Sequence, residues 1–160
     1  IIMVSKCPPD LTDEKKQYFI SRIRPRENQR VFFSSISYDE HIYSVDKKLP
    51  DNNLAYYDIL LITGIANPKP LLQHLSRFSD RVKHLKFKDH HHFSDNDVKN
   101  ILNEYKKMGE YRIILTTEKD YVRLKTFDYL RDLVFYWPIN VNIDQHQEFN
   151  QIIMNYVRKN

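Results

Sequence analysis

Glycine is nearly absent from this chain of 160 residues: there are two, Gly64 and Gly109. A phosphate-cradling loop of the form Gly-x-x-x-x-Gly-Lys-Ser/Thr needs a closely spaced pair followed by a lysine, so these two cannot build one. If the chain handles a nucleotide, the part that grips its phosphates lies elsewhere. Cysteine is scarcer still. Cys7 alone excludes an internal disulfide and fits a reducing compartment. With no other soft ligand beside it, Cys7 reads as a packed small side chain rather than a zinc ligand. No run approaches the roughly 18 apolar residues that would cross a bilayer. No charged stretch followed by an apolar one resembles a signal peptide. Internal repeats and low-complexity segments are missing too.

What is present describes a globular chain. Hydrophobic residues make up 41% and aromatics 13%, enough for a sizeable core and too much for disorder. Lys plus Arg number 25 against 21 Asp plus Glu, a net charge of +4. That balance suits phosphates or acidic lipid surfaces without requiring them. Ile1 to Ser5 starts in mid-strand pattern, with no initiator methionine and no turn before it. The chain is therefore expected to be a piece of a longer one.

Taken in order, Ile1–Ser5 reads as a central parallel strand emptying into Lys6-Cys7-Pro8-Pro9. Thr12 caps a helix with Asp13 and Glu14 in its first turn and Tyr18, Phe19 and Ile23 on one side, stopped at Arg24-Pro25. Val31–Ile36 is a second strand. A polar excursion from Ser37 to Tyr57 follows, expected as a hairpin or protruding loop. Asp58–Thr63 is too apolar to face water and predicts a buried central strand. After Gly64, Asn67 is the expected cap and Pro68 the first residue of a helix that buries Leu71, Leu72, Leu75 and Phe78.

Val82–Phe87 alternates, which places it near a sheet edge. Ser94 and Asp97 make a capping box for a helix running to Gly109, with Val98, Ile101, Leu102, Tyr105 and Met108 on its apolar face. Tyr111–Leu115 is another buried strand and leads into Thr116-Thr117-Glu118-Lys119-Asp120, where Thr117 and Asp120 repeat the capping geometry. Leu133–Pro138 is the last strand, and a helix from about Asp144 carries Phe149, Ile152, Ile153, Tyr156 and Val157. The alternation predicts an α/β fold, a mainly parallel sheet flanked by helices.

Phe87-Lys88-Asp89-His90-His91-His92-Phe93 sits at a strand mouth, where α/β proteins carry side chains into a crevice on rigid supports. In extended chain His90 and His92 share a face that His91 opposes. One reading is a metal site completed by Asp89, Asp95 or Asp97; another is a solvated polar loop. The third is an Asp89–His90 pair that assists proton transfer or orients a phosphate, the carboxylate raising imidazole basicity and fixing its tautomer. Thr116 to Asp120 could hold an anion at a helix start, or simply cap that helix. Gly64 allows close backbone approach to a ligand or a tight turn, the second being the simpler reason. Lys6, at the end of the first strand, stands where some nucleotide-binding folds place a lysine over a base or phosphate.

Four blocks together resemble one family: Ile2-Met3-Val4-Ser5-Lys6-Cys7-Pro8, Leu61-Ile62-Thr63-Gly64-Ile65-Ala66-Asn67-Pro68, Phe87-x-Asp89-His90-His91-x-Phe93 and Ile114-Leu115-Thr116-Thr117-Glu118-Lys119-Asp120. In this order they look like the C-terminal half of tetraacyldisaccharide 4′-kinase, covering Ile2 to about Leu124. The resemblance implies the C-terminal lobe, residues 1–160, of a P-loop-type kinase of about twice this length. The Ser37–Tyr57 excursion would be a hairpin linker between the lobes.

The activity implied is ATP- and magnesium-dependent phosphorylation of the 4′-hydroxyl of a lipid A disaccharide precursor at the cytoplasmic face of the Gram-negative inner membrane. This chain alone would be inactive. By the same resemblance His90, with Asp89 beside it, would be catalytic, supporting an aspartate of the N-terminal lobe across a cleft. Lys6, Thr117, Glu118 and Lys119 would contact ATP, and no metal ligand falls in this half. His91 and His92 match no role.

Two rivals follow from the residues. A metal-dependent phosphoesterase with an Asp-His-His motif would share Asp89-His90-His91, but its spaced aspartates on earlier strands are missing. A non-catalytic binding module, for nucleic acid for instance, would need a basic stripe interleaved with exposed aromatics. Most aromatics here are expected on core-facing positions, so no nucleic acid partner is expected.

Overall fold

A computed structural model describes residues 1–159, Asn52 by its backbone alone; Asn160, the last residue of the expected lobe, lies outside the described residues. The fold is α/β, as the alternation predicted, with mixed sheets flanked by helices. The chain forms two compact units, residues 1–38 with 139–160, and residues 39–138.

The smaller unit holds β1 (Ile2–Cys7), α1 (Asp13–Ile23), β2 (Val31–Tyr38) and the last two elements of the chain, a strand over Ile139–Ile143 and a helix over His146–Lys159. Thr12 caps α1 as expected, its hydroxyl accepting from the Lys15 amide at 3.4 Å. Tyr18 and Phe19 on that helix stay largely exposed, so α1 contributes no buried residue. β1 runs parallel to β2 and, among the described residues, pairs on that side only. Its expected central place is therefore not observed, and Met3, Ser5 and Lys6 are exposed.

Beyond β2 the sheet is closed by the Ile139–Ile143 strand, antiparallel to it. Asp144 does not cap the final helix. Its carboxylate takes the Phe33 amide at 2.7 Å and Lys16 Nζ at 3.1 Å, fastening the strand end instead. The helix starts after Gln145, whose φ is 47°.

The larger unit contains β3 (His41–Tyr43), β4 (Lys48–Pro50), a 3-10 helix over Asp51–Tyr56, β5 (Asp58–Thr63), α2 (Lys69–Leu75), β6 (Val82–Lys86), α3 (Asp95–Lys106), β7 (Arg112–Thr117), α4 (Glu118–Leu124), α5 (Asp128–Arg131) and β8 (Val134–Trp137). The two terminal elements of the smaller unit are accordingly β9 and α6. Six strands lie in the order β4-β3-β8-β7-β5-β6. The four from β8 to β6 are parallel, and β3 joins antiparallel to β8. Residues 37–57 thus hold the end of β2, a β3–β4 hairpin that extends this sheet, and the 3-10 helix. The chain passes between the units at Tyr38–Asp39 and at Pro138–Ile139.

β5 is central and buried from Ile59 to Thr63, and β6 is an edge, both as their patterns predicted. Leu60, Ile62 and Ile114 from the sheet meet Val98 and Ile101 of α3, Tyr121 and Leu124 of α4 and Leu130 of α5. Leu71 and Leu75 of α2 are buried as well. α2 begins one residue later than expected, after Pro68, though Asn67 still supports it by accepting the Lys69 amide at 3.2 Å. The expectation that most aromatics face the core holds, with Tyr56, Tyr111, Tyr129 and Tyr156 among the exceptions at 70%, 70%, 79% and 70% exposed. Tyrosine, with a polar tip on an apolar ring, tolerates this better than phenylalanine.

Candidate functional site

From β5 the chain moves through α2 to β6 on one side, and from β7 through α4 and α5 to β8 on the other. The strand order reverses between β5 and β7, the position where open α/β sheets gather functional groups beyond their strand ends. The register aligns Ile62 with Thr116 and Thr63 with Lys86. Three loops therefore meet at one end of the sheet: Gly64 after β5, Phe87–Phe93 after β6, and the Thr117–Asp120 turn that opens α4.

In the middle loop His90 adopts a left-handed conformation, φ 58°, uncommon for a residue with a Cβ. Its amide donates to Asp89 Oδ1 at 3.0 Å and to the Gly64 carbonyl at 3.2 Å, which holds the turn in place. The His91 amide reaches back to the Lys88 carbonyl at 3.1 Å. The turn throws the His90 imidazole outward, its side chain 70% exposed and its Nε2 3.8 Å from Asp89 Oδ2. From α4, Lys119 Nζ comes to 3.4 Å from Asp89 Oδ1 and 3.5 Å from His90 Nε2.

So Asp89, His90 and Lys119, thirty residues apart in sequence at the widest, form one charged cluster. Partial desolvation pushes the Asp89 carboxyl up, but the nearby His90 and Lys119 charges and their hydrogen bonds outweigh it and hold it below its ordinary value. Solvent-exposed ion pairs of this kind contribute little to stability. Fold maintenance is a weak reason for such a cluster; an available imidazole with an ionised neighbour is a chemical resource.

The other expected contacts distribute differently. Thr117 Oγ1 accepts the Asp120 amide at 3.2 Å and donates to Asp120 Oδ2 at 2.9 Å, so the capping reading of that turn accounts for its hydroxyl. Glu118 is exposed in the same turn. Lys6 belongs to the smaller unit, exposed, with φ 60° where the β1–β2 register shifts.

His91, given no role by the sequence, has a structural one. Its Nε2 lies 3.0 Å from Asp97 Oδ2, the oxygen that also accepts the Ser94 amide and hydroxyl in the capping box of α3. Its ring packs between Phe87 and Phe93, at 4.8 and 5.1 Å between centroids. His90 and His91 thus turn to different partners, and among the described residues no three His, Cys, Asp or Glu side chains converge as a metal-ligand set.

Sequence reasoning overlooked Asp120 as anything but a cap. Its side chain is fully buried, and its Oδ2 accepts the Gly64 amide at 2.7 Å. A Cβ on Gly64 would stand 3.1 Å from Asp120 Oδ1, tighter than side chains normally allow. Only a contact 56 residues away in sequence reveals this, so the Thr-x-x-Asp spacing could not.

Comparison with known proteins adds to this geometry. A family model described as tetraacyldisaccharide-1-P 4′-kinase matches residues 4–158. A tetraacyldisaccharide 4′-kinase of Bacteroides thetaiotaomicron is 37% identical over all of this chain and 47% of its own length. That of Flavobacterium johnsoniae is 38% identical over all of this chain and 45% of its own length. This chain therefore spans about half the length of the curated relatives it matches. A crystal structure of LpxK from Aquifex aeolicus, described as an "apo" form in complex with ATP, matches the fold with a TM-score of 0.56 at 15% identity. It covers 96% of this chain and 50% of that one.

Proposed function

Because the chain belongs to the tetraacyldisaccharide-1-P 4′-kinase family, we propose that it is the C-terminal part of an enzyme that moves a phosphoryl group from ATP to the 4′-hydroxyl of a tetraacyldisaccharide 1-phosphate in lipid A synthesis. The observation that carries this beyond kinship is the cluster of His90, Asp89 and Lys119 at the ends of parallel strands, with an exposed imidazole at its tip.

Phosphoryl transfer needs positioning and charge neutralisation more than covalent help. His90 would present its imidazole to a carboxylate of the N-terminal lobe that takes the hydroxyl proton, and Asp89 would hold that imidazole in orientation. Glu118 and Lys119, exposed in the first turn of α4, would face ATP. Two glycines and, among the described residues, no converging ligand set do not fit a triphosphate with magnesium, so the phosphate loop and the magnesium carboxylates would belong to a part of the enzyme outside residues 1–160.

The net charge of +4 suits an anionic lipid acceptor and an acidic membrane surface, here the cytoplasmic face of a Gram-negative inner membrane. No helix among the described residues is long and apolar enough to cross a membrane.

The test is transfer of radiolabel from ATP to a synthetic tetraacyldisaccharide 1-phosphate. The full-length protein is expected to give a product labelled at the 4′ position, and residues 1–160 alone none. Turnover by the fragment, or no turnover by the full-length protein, overturns the proposal.

A further inference from the structure

Among the described residues Asp120 is the one charged side chain that is buried. Burying a carboxylate is costly unless donors replace its water, and a helix cap contributes only about 1 kcal/mol. An exposed side chain would serve equally well to cap the seven residues of α4. The carboxylate is also only partly satisfied. Oδ2 takes the Gly64 amide and the Thr117 hydroxyl, while Oδ1 has no hydrogen-bond partner in the structure. Something other than capping accounts for it.

Its two arms lead to the same place. Through the Gly64 amide it anchors the backbone at that residue, and the carbonyl of the same residue accepts the amide of His90 at 3.2 Å. Through Thr117 it fixes the first turn of α4, which carries Lys119 to the Asp89–His90 pair. A Cβ at Gly64 would stand 3.1 Å from Asp120 Oδ1, so a larger residue at the relay would press on that carboxylate.

We propose that Asp120 is a positioning residue, buried so that the Gly64 backbone holds His90 in its left-handed turn with the imidazole presented outward. This rests on the reading that His90 takes part in phosphoryl transfer. A misplacement of about 1 Å can slow a positioned reaction by as much as a hundredfold.

The experiment is a double-mutant cycle in the full-length protein: Asp120→Asn, His90→Ala, and both together, with kcat and KM measured for both substrates. Asp120→Asn is expected to lower kcat about tenfold or more with KM little changed. The double variant should be little slower than His90→Ala, because Asp120 acts on turnover mainly through His90. Multiplied losses would mean a general structural role and overturn the inference.

Side-chain nitrogen NMR of the histidines supplies a readout independent of turnover. In Asp120→Asn the His90 signals should move and those of His92 should not; unmoved His90 signals overturn the inference. If Asp120→Asn does not fold, Thr117→Val removes one donor from the same oxygen and should give a smaller loss of kcat that again vanishes without His90. Persistence of that loss in the His90→Ala background overturns the inference. A slow His90→Ala beside an unaffected Asp120→Asn sinks this inference alone, whereas a His90→Ala of unchanged rate sinks the role of His90 as well.

Discussion

His91 Nε2 and Asp97 Oδ2 stand 3.0 Å apart, joining the loop after β6 to the first turn of α3. One nitrogen of the His91 imidazole is thereby engaged in holding the fold. His91→Ala in the full-length protein is expected to lower stability by about 1 kcal/mol while leaving kcat within about twofold. Thermal unfolding beside a turnover assay checks this; a tenfold fall in kcat with unchanged unfolding would make His91 a participant.

The Ser94–Asp97 box also has an acid limit. Hydrogen bonds from the Ser94 amide and hydroxyl, with His91 adding to them, hold the Asp97 carboxyl below its ordinary value. A depressed folded-state value means stability present above the unfolded carboxylate range and lost as pH falls through the folded one. Asp97→Asn is expected to lower stability at neutral pH and to flatten its fall in acid. Denaturant midpoints across pH 2 to 5, about the carboxylate range, measure it.

His84 predicts a dependence nearer neutrality. Burial, with the Lys86 charge adding to it, lowers its value, and its Nε2 lies 2.8 Å from the Thr63 hydroxyl at the end of β5. The unfolded chain takes up a proton near pH 6.5 and the folded one resists, so stability should fall as pH drops below about 6.5. His84→Gln should remove that slope. A slope that survives the substitution assigns it to another group.

Much of this fold was legible in the sequence because local signals and burial agreed. Asp58–Thr63 carries an unbroken apolar run and became a buried strand, and Ser94 with Asp97 formed the box that their spacing announced. β1 misled because a continuous apolar run says a strand is strand-like, not how many neighbours it has. The site was half legible. An acid beside imidazoles at a strand mouth marked Asp89 and His90, but which histidine turned outward depended on a left-handed backbone and on the distant Gly64 carbonyl. Lys119 and Asp120 are adjacent in sequence, yet one is half-exposed beside His90 and the other fully buried under Gly64, a division made by helical geometry.

Gly109 illustrates a close approach that has nothing to do with turn conformation. Its amide donates to Asp58 Oδ2 at 3.0 Å, and a Cβ there would lie 2.6 Å from that oxygen. Gly109→Ala should displace the carboxylate, the free end of a part-exposed side chain, and lower stability by about 1 kcal/mol or less, the worth of the hydrogen bond it disturbs. The double variant with Asp58→Ala should show a smaller added loss. Full additivity of the two substitutions would contradict the contact.

The central claim is that the exposed imidazole of His90 serves phosphoryl transfer. It is tested most directly by the turnover of His90→Ala in the full-length protein at saturating ATP and acceptor. A fall in kcat of about a hundredfold or more, with unfolding temperature unchanged, is the result this account predicts. A variant that turns over at the rate of the parent protein would contradict it.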